Sequence, residues 1–139
     1  MTVILASLKA DLELEAAGDW IDYPDWPGVS FNVKSLHSPG YTIKRDLMLQ
    51  RLARKYKGKT PPPAVLAEEG GKIYCAEILF GWRGLDVEYA PEVALETLCD
   101  VAFRNVTGAV EWCAQQVAQI EVEFVEDTVK NSARPSAGA

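Results

Sequence analysis

The sequence predicts an α+β fold that is mostly helical, a single domain with a short N-terminal β-hairpin and a long C-terminal helix. Polar and apolar residues alternate on both sides of a turn at residues 24–28, and prolines precede segments with helical periodicity. The last third of the chain repeats apolar residues every three or four positions. The 139 residues suffice for one modest core. We therefore expect one domain over residues 1–131 and a flexible tail over 132–139, where small and polar residues predominate.

The N-terminal leucines Leu5, Leu8 and Leu12 are three and four residues apart, which predicts a short amphipathic helix that Gly18 would end. Apolar and acidic residues also alternate just after Leu12, so a strand that enters Trp20 is the alternative.

Two short strands follow, at residues 19–23 and 29–36, because polar and apolar residues alternate in both. The turn at 24–28 contains two prolines and a glycine, which favour tight reversal of the chain. A lone hairpin is only marginally stable in water, so we expect it to pack against helices.

A helix is predicted to begin at Ser38-Pro39, with serine as the N-cap and proline at the first helical position. It would run to about Tyr56 and end at Lys57-Gly58, and three consecutive prolines then form a stiff connector. Its apolar stripe consists of Met48, Leu52 and Tyr56.

Two further helices are predicted after the prolines. The first runs from about Pro63 to Gly81, with a kink or split at Gly70-Gly71 because two glycines lower helix propensity. Its buried side would contain Ile73, Ala76, Leu79 and Phe80. The second is short, opens at Pro91 and carries Val93, Leu95 and Leu98.

The last helix carries the clearest periodicity of the chain. Apolar residues at alternating spacings of three and four predict one continuous seam on a helix about 25 residues long. The seam consists of Phe103, Val106, Val110, Cys113, Val117, Ile120 and Phe124.

Charge is distributed in blocks of opposite sign. The chain has a net charge of -6, yet residues 44–59 contain seven basic residues and one acidic residue, Asp46. From Pro61 onward there are five basic and thirteen acidic residues. Such blocks suggest charge-guided contacts, so we expect the basic helix to meet acidic surface of another subunit or of the C-terminal helix.

The residue types needed for catalysis, metal binding or cofactor binding do not occur in recognisable patterns. The three cysteines are far apart, the single histidine is His37, and no phosphate-binding glycine motif is present. We therefore expect free buried thiols, no metal or cofactor, and no enzyme activity.

No run approaches the roughly 20 apolar residues of a membrane helix. The sequence pI of 4.8 argues against nucleic-acid binding.

Seven residues are candidates for protein binding. Trp26 lies in the turn at 24–28, where it is either a lid over the core or an exposed anchor. The others are the basic Arg51, Arg54 and Lys55 and the seam residues Val117, Ile120 and Phe124.

Several motifs in the second half resemble a family of small phage proteins, the tail assembly chaperones of long non-contractile tails. Residues 76–85 (AEILFGWRGL) are similar to the helix end that precedes a Trp-x-Gly-Leu turn in that family. Tyr89-Ala90-Pro91-Glu92, with Leu95, Leu98 and Asp100, resembles the next helix, and residues 124–132 resemble the closing helix. Near the N-terminus, residues 20–24 and 27–36 resemble the short β segment that opens many of these proteins.

The resemblance implies a non-enzymatic helper of virion assembly in the host cytoplasm, with the tape measure protein and the tail tube protein as partners and with possible self-association. Many members also exist as a longer form made by ribosomal frameshifting, and Val129-Lys130-Asn131 is compatible with a slippery heptamer. Two alternatives remain: a structural virion protein of the tail or head-tail connector, and a nucleic-acid-binding regulator that uses the basic residues 44–59.

Overall fold

The computed structural model describes residues 1–126. Contacts between backbone segments divide the chain into two compact units, a larger one over Leu12–Ala118 and a smaller one that joins Met1–Asp11 to the chain from Gln119. Helices and small antiparallel sheets together make an α+β structure, as the sequence predicts. The predicted tail at 132–139 and the candidate slippery site at 129–131 lie outside the described residues.

A three-stranded antiparallel sheet lies in the larger unit, in the order β2 (Asp19–Asp22), β3 (Ser30–Val33) and β4 (Leu79–Arg83). The two predicted strands are therefore paired, and the turn between them uses Gly28 at a φ of 86°. The third strand comes from a segment for which the sequence predicts the end of a helix, and this expectation is wrong. The aromatic residues of Leu79–Arg83 favour an extended chain, and β3 offers them an unpaired edge.

Helix boundaries agree with the proline signals. The helices are α1 (Leu12–Ala17), α2 (Pro39–Lys55), α3 (Pro63–Glu77), α4 (Pro91–Leu98) and α5 (Arg104–Val117), with 3₁₀ turns at Leu5–Leu8 and Val101–Phe103. Helices α2, α3 and α4 each begin with a proline at the first helical position. Gly58, at a φ of 79°, follows α2 where the sequence predicts its end.

The core of the larger unit lies between α5 and the inner face of the sheet. Phe31, Val33 and Leu79 are fully buried, and so are Val110 and Cys113 of α5. Four seam positions are therefore buried: Val106 partly, and Val110, Cys113 and Val117 almost completely.

The predicted length of the last helix is wrong. Helix α5 spans 14 residues and ends at Val117, and the other seam residues, Phe103, Ile120 and Phe124, are exposed. From residue 120 to 124 apolar residues alternate with glutamates, a period of two that favours an extended chain over a helix. The spacing of three and four residues therefore continues to Ile120 and Phe124, beyond the end of α5 at Val117.

The smaller unit is a short ribbon. Strand β1 (Thr2–Val3) pairs with β5 (Phe124–Val125) in antiparallel register, and the Ile4 amide donates to the Glu123 carbonyl at 2.8 Å. The expected helix through Leu5, Leu8 and Leu12 is wrong, because the first two leucines lie in a 3₁₀ turn and α1 begins only at Leu12. Gly18 does end α1, with a φ of 81°.

Candidate partner-binding groove

The larger unit contains an open groove whose walls are mainly apolar. It has a volume of about 540 Å³ and lies between α2, α3 and the segment Asp100–Glu111, which contains the second 3₁₀ turn and the first half of α5. We call it the helix groove. Its apolar lining comes from Met48, Leu49, Leu66, Ala67, Ile73 and Val101. Leu49 and Val101 are 48% and 37% exposed, so part of this apolar surface faces solvent.

The first wall is formed by α2 packed antiparallel to α3. Tyr41 stacks on Tyr74 with ring centroids 5.6 Å apart, which fixes one end of the pair. Lys44 forms an ion pair with Glu77 at 2.7 Å, and Arg51 pairs with Glu69. Each of these exposed ion pairs contributes less than about 1 kcal/mol, so apolar packing contributes most of the stability of the contact between α2 and α3.

The opposite wall depends on a close approach of α3 to the end of α4. A Cβ at Gly71 would lie 2.5 Å from the carbonyl oxygen of Leu98, so only glycine allows the observed distance. The Cys99 thiol donates to the carbonyl of Glu68 at 3.4 Å and adds a second link between these helices. The 3₁₀ turn follows directly, and the Asp100 carboxylate accepts from the Ala102 amide at 2.9 Å. The groove walls are therefore set by contacts inside the larger unit.

One end of the groove is polar. Burial raises the pKa of Tyr74 above its usual value, and the neighbouring Tyr41 and Glu111 raise this pKa further, so the Tyr74 phenol stays neutral. Arg45 lies over the Tyr41 ring at 5.7 Å from its centroid. The polar end can orient a partner through hydrogen bonds, while the apolar end provides burial.

The cysteine thiols are protonated at neutral pH. All three are free, and burial raises the pKa of Cys75 and of Cys113 to about 11. Thiolates are the nucleophilic form, so these side chains are poor nucleophiles. Within residues 1–126, no group of three or more His, Cys, Asp or Glu side chains could hold a metal ion. No helix in this part of the chain is long and apolar enough to cross a membrane.

The candidate residues from the sequence do not lie together. Arg51 and Arg54 line a second depression of about 500 Å³ between α2 and α3, which shares Met48 and Ile73 with the helix groove, and Lys55 is exposed at the end of α2. Val117 is 4% exposed and belongs to the core, so it presents no free surface for binding. Ile120 and Phe124 are exposed in the smaller unit.

Of the two roles predicted for Trp26, the structure agrees with a side chain that covers the core. It is partly buried against the core, and its ring makes an edge contact with Tyr23 at 4.9 Å between centroids. Sequence reasoning missed the helix groove because three segments far apart in the chain form it. The one local signal is the presence of two glycines inside helices, Gly70 and Gly108, which the periodicity does not explain.

No protein-family model, no curated protein and no solved structure matches this chain.

Proposed function

We propose that this protein is a non-enzymatic phage tail assembly chaperone, which binds helical segments of the tape measure protein in the helix groove and helps to recruit tail tube subunits. The observation that carries the proposal is the groove itself: an open, mainly apolar channel between helices whose walls need no partner to form. An amphipathic helix bound in such a groove buries its apolar face by a common recognition mode.

The size of the groove suits a contact that has to be released. A chaperone leaves the tape measure protein as tail tube subunits polymerise, so each contact must be weak enough to exchange. At about 540 Å³ the groove accommodates a few side chains of a helix rather than a whole domain. Many such weak contacts along one long helical client would add up by avidity.

The motifs that resemble the family can be compared with the strands and turns of this chain. The β segment corresponds to β2 and β3, and the Trp-x-Gly-Leu turn corresponds to β4 and the residues just after it. Trp82 of that turn is buried, and its indole donates to the carbonyl of Val87 at 2.8 Å. Residues 124–132 resemble the closing helix of the family, but Phe124–Val125 form the strand β5 and not a helix, and residues 127–132 lie outside the described residues.

Co-expression with the tape measure protein of the same phage genome tests the proposal. We expect a tagged wild-type chain to keep the tape measure protein in the soluble fraction and to copurify with it. Leu49→Lys and Val101→Lys place a charge on exposed apolar positions of the groove, so they should fold and lose the copurified partner. Val87→Lys is the matched control, because Val87 is 51% exposed and does not line the groove. Equal copurification by all four proteins would refute the groove as the binding site.

Mass spectrometry of purified virions separates the chaperone from a structural virion protein. A chaperone is absent from the finished particle, whereas a tail or connector subunit is present at stoichiometric amounts.

The nucleotide sequence tests the longer form: a slippery heptamer at codons 129–131 and an open −1 frame downstream would support it, and their absence would leave a single form.

A further inference from the structure

Helix α3 separates two depressions of opposite charge in the larger unit. One lies between α2 and α3, has a volume of about 500 Å³, and is lined by four cations and one carboxylate: Lys44, Arg51, Arg54, Lys72 and Glu69. The other lies between α3 and α4, has a volume of about 570 Å³, and is lined by four carboxylates and one cation: Glu68, Glu92, Glu96, Asp100 and Lys72. We call them the basic depression and the acidic depression. Lys72 lines both, so the two depressions adjoin each other across α3.

The opposite charges are not cancelled by the acids and bases around them. Residues 39–77, which form α2, α3 and their connection, contain eight basic and four acidic residues. Each of those four acids already pairs with a cation of the same range, so a surplus of positive charge remains. Residues 78–103 contain one basic and five acidic residues, so their surplus is negative. Arg54, Glu92 and Glu96 are exposed and form no ion pair within residues 1–126.

Each depression also offers an exposed leucine beside its charges. Leu47 lines the basic depression, is 60% exposed, and lies one helical turn before Arg51. Leu95 lines the acidic depression, is 42% exposed, and lies between Glu92 and Glu96 in α4. Residues three or four positions apart are neighbours on a helix surface. Apolar side chains surrounded by charged ones are the usual arrangement of a specific protein interface.

No element of the larger unit neutralises these two surfaces. The sequence suggests the C-terminal helix as one acidic partner of the basic helix, but the charged residues of α5 are Arg104 and Glu111, so its charges balance. No ion pair joins α2 to α4 among the described residues. Nucleic acid would match the basic depression alone, since the adjoining carboxylates repel phosphate. A second copy of the chain supplies a partner for both depressions at once.

We propose that two copies of this chain form a dimer with two-fold symmetry, in which the basic depression of each copy faces the acidic depression of the other. A two-fold interface is self-complementary, so one surface has to carry both halves of every contact. The adjoining depressions meet this requirement, because a rotation axis beside Lys72 places α2 of each copy against α4 of its partner. The inference goes beyond the proposed function and does not depend on what the helix groove binds.

Sedimentation equilibrium of the full chain over a range of concentrations tests the dimer. We expect wild type to pass from monomer to dimer as its concentration rises. Arg54→Glu and Glu96→Lys should each weaken the dimer at least about tenfold, because each change brings like charges together twice in a symmetric dimer. Lys59→Glu and Glu88→Lys are the matched controls. They make the same changes of charge at exposed positions that line neither depression, so they should dimerise within about threefold of wild type.

Mixing the two variants separates a role in the interface from a role in folding. In a mixed dimer, the side chains introduced by Arg54→Glu and Glu96→Lys have opposite charges, and the second pair of facing depressions is unchanged. An equimolar mixture should therefore recover a dimer close to wild type in affinity, whereas each variant alone stays mainly monomeric at the same concentration. A variant that fails to fold could not be rescued in this way. A mixture that stays monomeric would overturn the inference.

Four other results would contradict the two-fold dimer. A wild-type chain that is monomeric at every concentration lacks the interface, and open assemblies larger than a dimer would exclude two-fold closure. Loss of the dimer in Leu49→Lys would place the contact at the helix groove, because Leu49 lines the groove and neither of the two depressions. Duplex DNA that binds wild type but not Arg54→Glu would make nucleic acid the occupant of the basic depression.

Discussion

Val117 gives the sharpest test of where the core ends. It is 4% exposed at the end of α5, whereas Ile120, three residues later, is 38% exposed. Val117→Ala removes two methyl groups, each worth about 0.8 kcal/mol of burial, and the cavity that remains brings the loss to roughly 2–3 kcal/mol. Val117→Asp should cost several kcal/mol more, because the carboxylate would lose its water without gaining a partner.

Urea unfolding monitored by tryptophan fluorescence measures these losses. Ile120→Asp is the matched control and should change the free energy of unfolding by less than about 1 kcal/mol, as expected at a partly exposed position. The loss in Val117→Asp should also shrink as pH falls toward about 4, because burial raises the pKa of the introduced carboxyl and the protonated form is tolerated better. Equal stabilities of the two aspartate variants would refute the boundary of the core at Val117.

Three further results are expected from the larger unit and from the charge pattern. Trp82→Phe removes the hydrogen bond to the Val87 carbonyl and leaves that acceptor without its partner, so thermal unfolding should show a loss of about 1–3 kcal/mol; an unchanged melting temperature would contradict the role of this bond. Stability should fall as pH rises from about 9 toward 11, because the unfolded chain releases the thiol protons of Cys75 and Cys113 at a lower pH than the folded chain does. Burial also raises the pKa of Tyr74, so replacing both cysteines with alanine should reduce this dependence without abolishing it; an unchanged dependence would contradict the contribution of the two thiols. Any self-association through the basic residues 44–59 should weaken as salt rises to a few hundred millimolar, since exposed charges are screened over about 8 Å at physiological ionic strength; sedimentation that is independent of salt would exclude it.

Features determined by neighbouring residues could be predicted from the sequence. Proline at the first helical position and glycine after the last turn act locally, so Pro39, Pro63 and Gly58 indicate helix ends correctly. The pairing of β2 with β3 follows from alternation and a short turn.

Features that depend on distant partners could not be predicted. Residues 79–83 have apolar spacing compatible with a helix, and they form a strand because β3, which is distant in sequence, offers them a free edge. In the same way, nothing near Phe124 in sequence indicates that it pairs with Val3. The helix groove could not be predicted from the sequence either, because its walls come from three segments far apart in the chain, residues 41–49, 63–74 and 100–111. Gly70 and Gly108 are both unfavourable helix residues, but the groove that they share is formed only in the folded chain.

Site-specific photocrosslinking tests most directly whether the helix groove binds the tape measure protein. A benzoylphenylalanine residue would be placed at Leu49 or Val101 in the groove, and at Val87 as the control outside it. In cells that co-express the tape measure protein, we expect crosslinks to it from both groove positions and none from the control. Crosslinks from position 87 alone, or equal crosslinks from all three positions, would contradict binding in the groove.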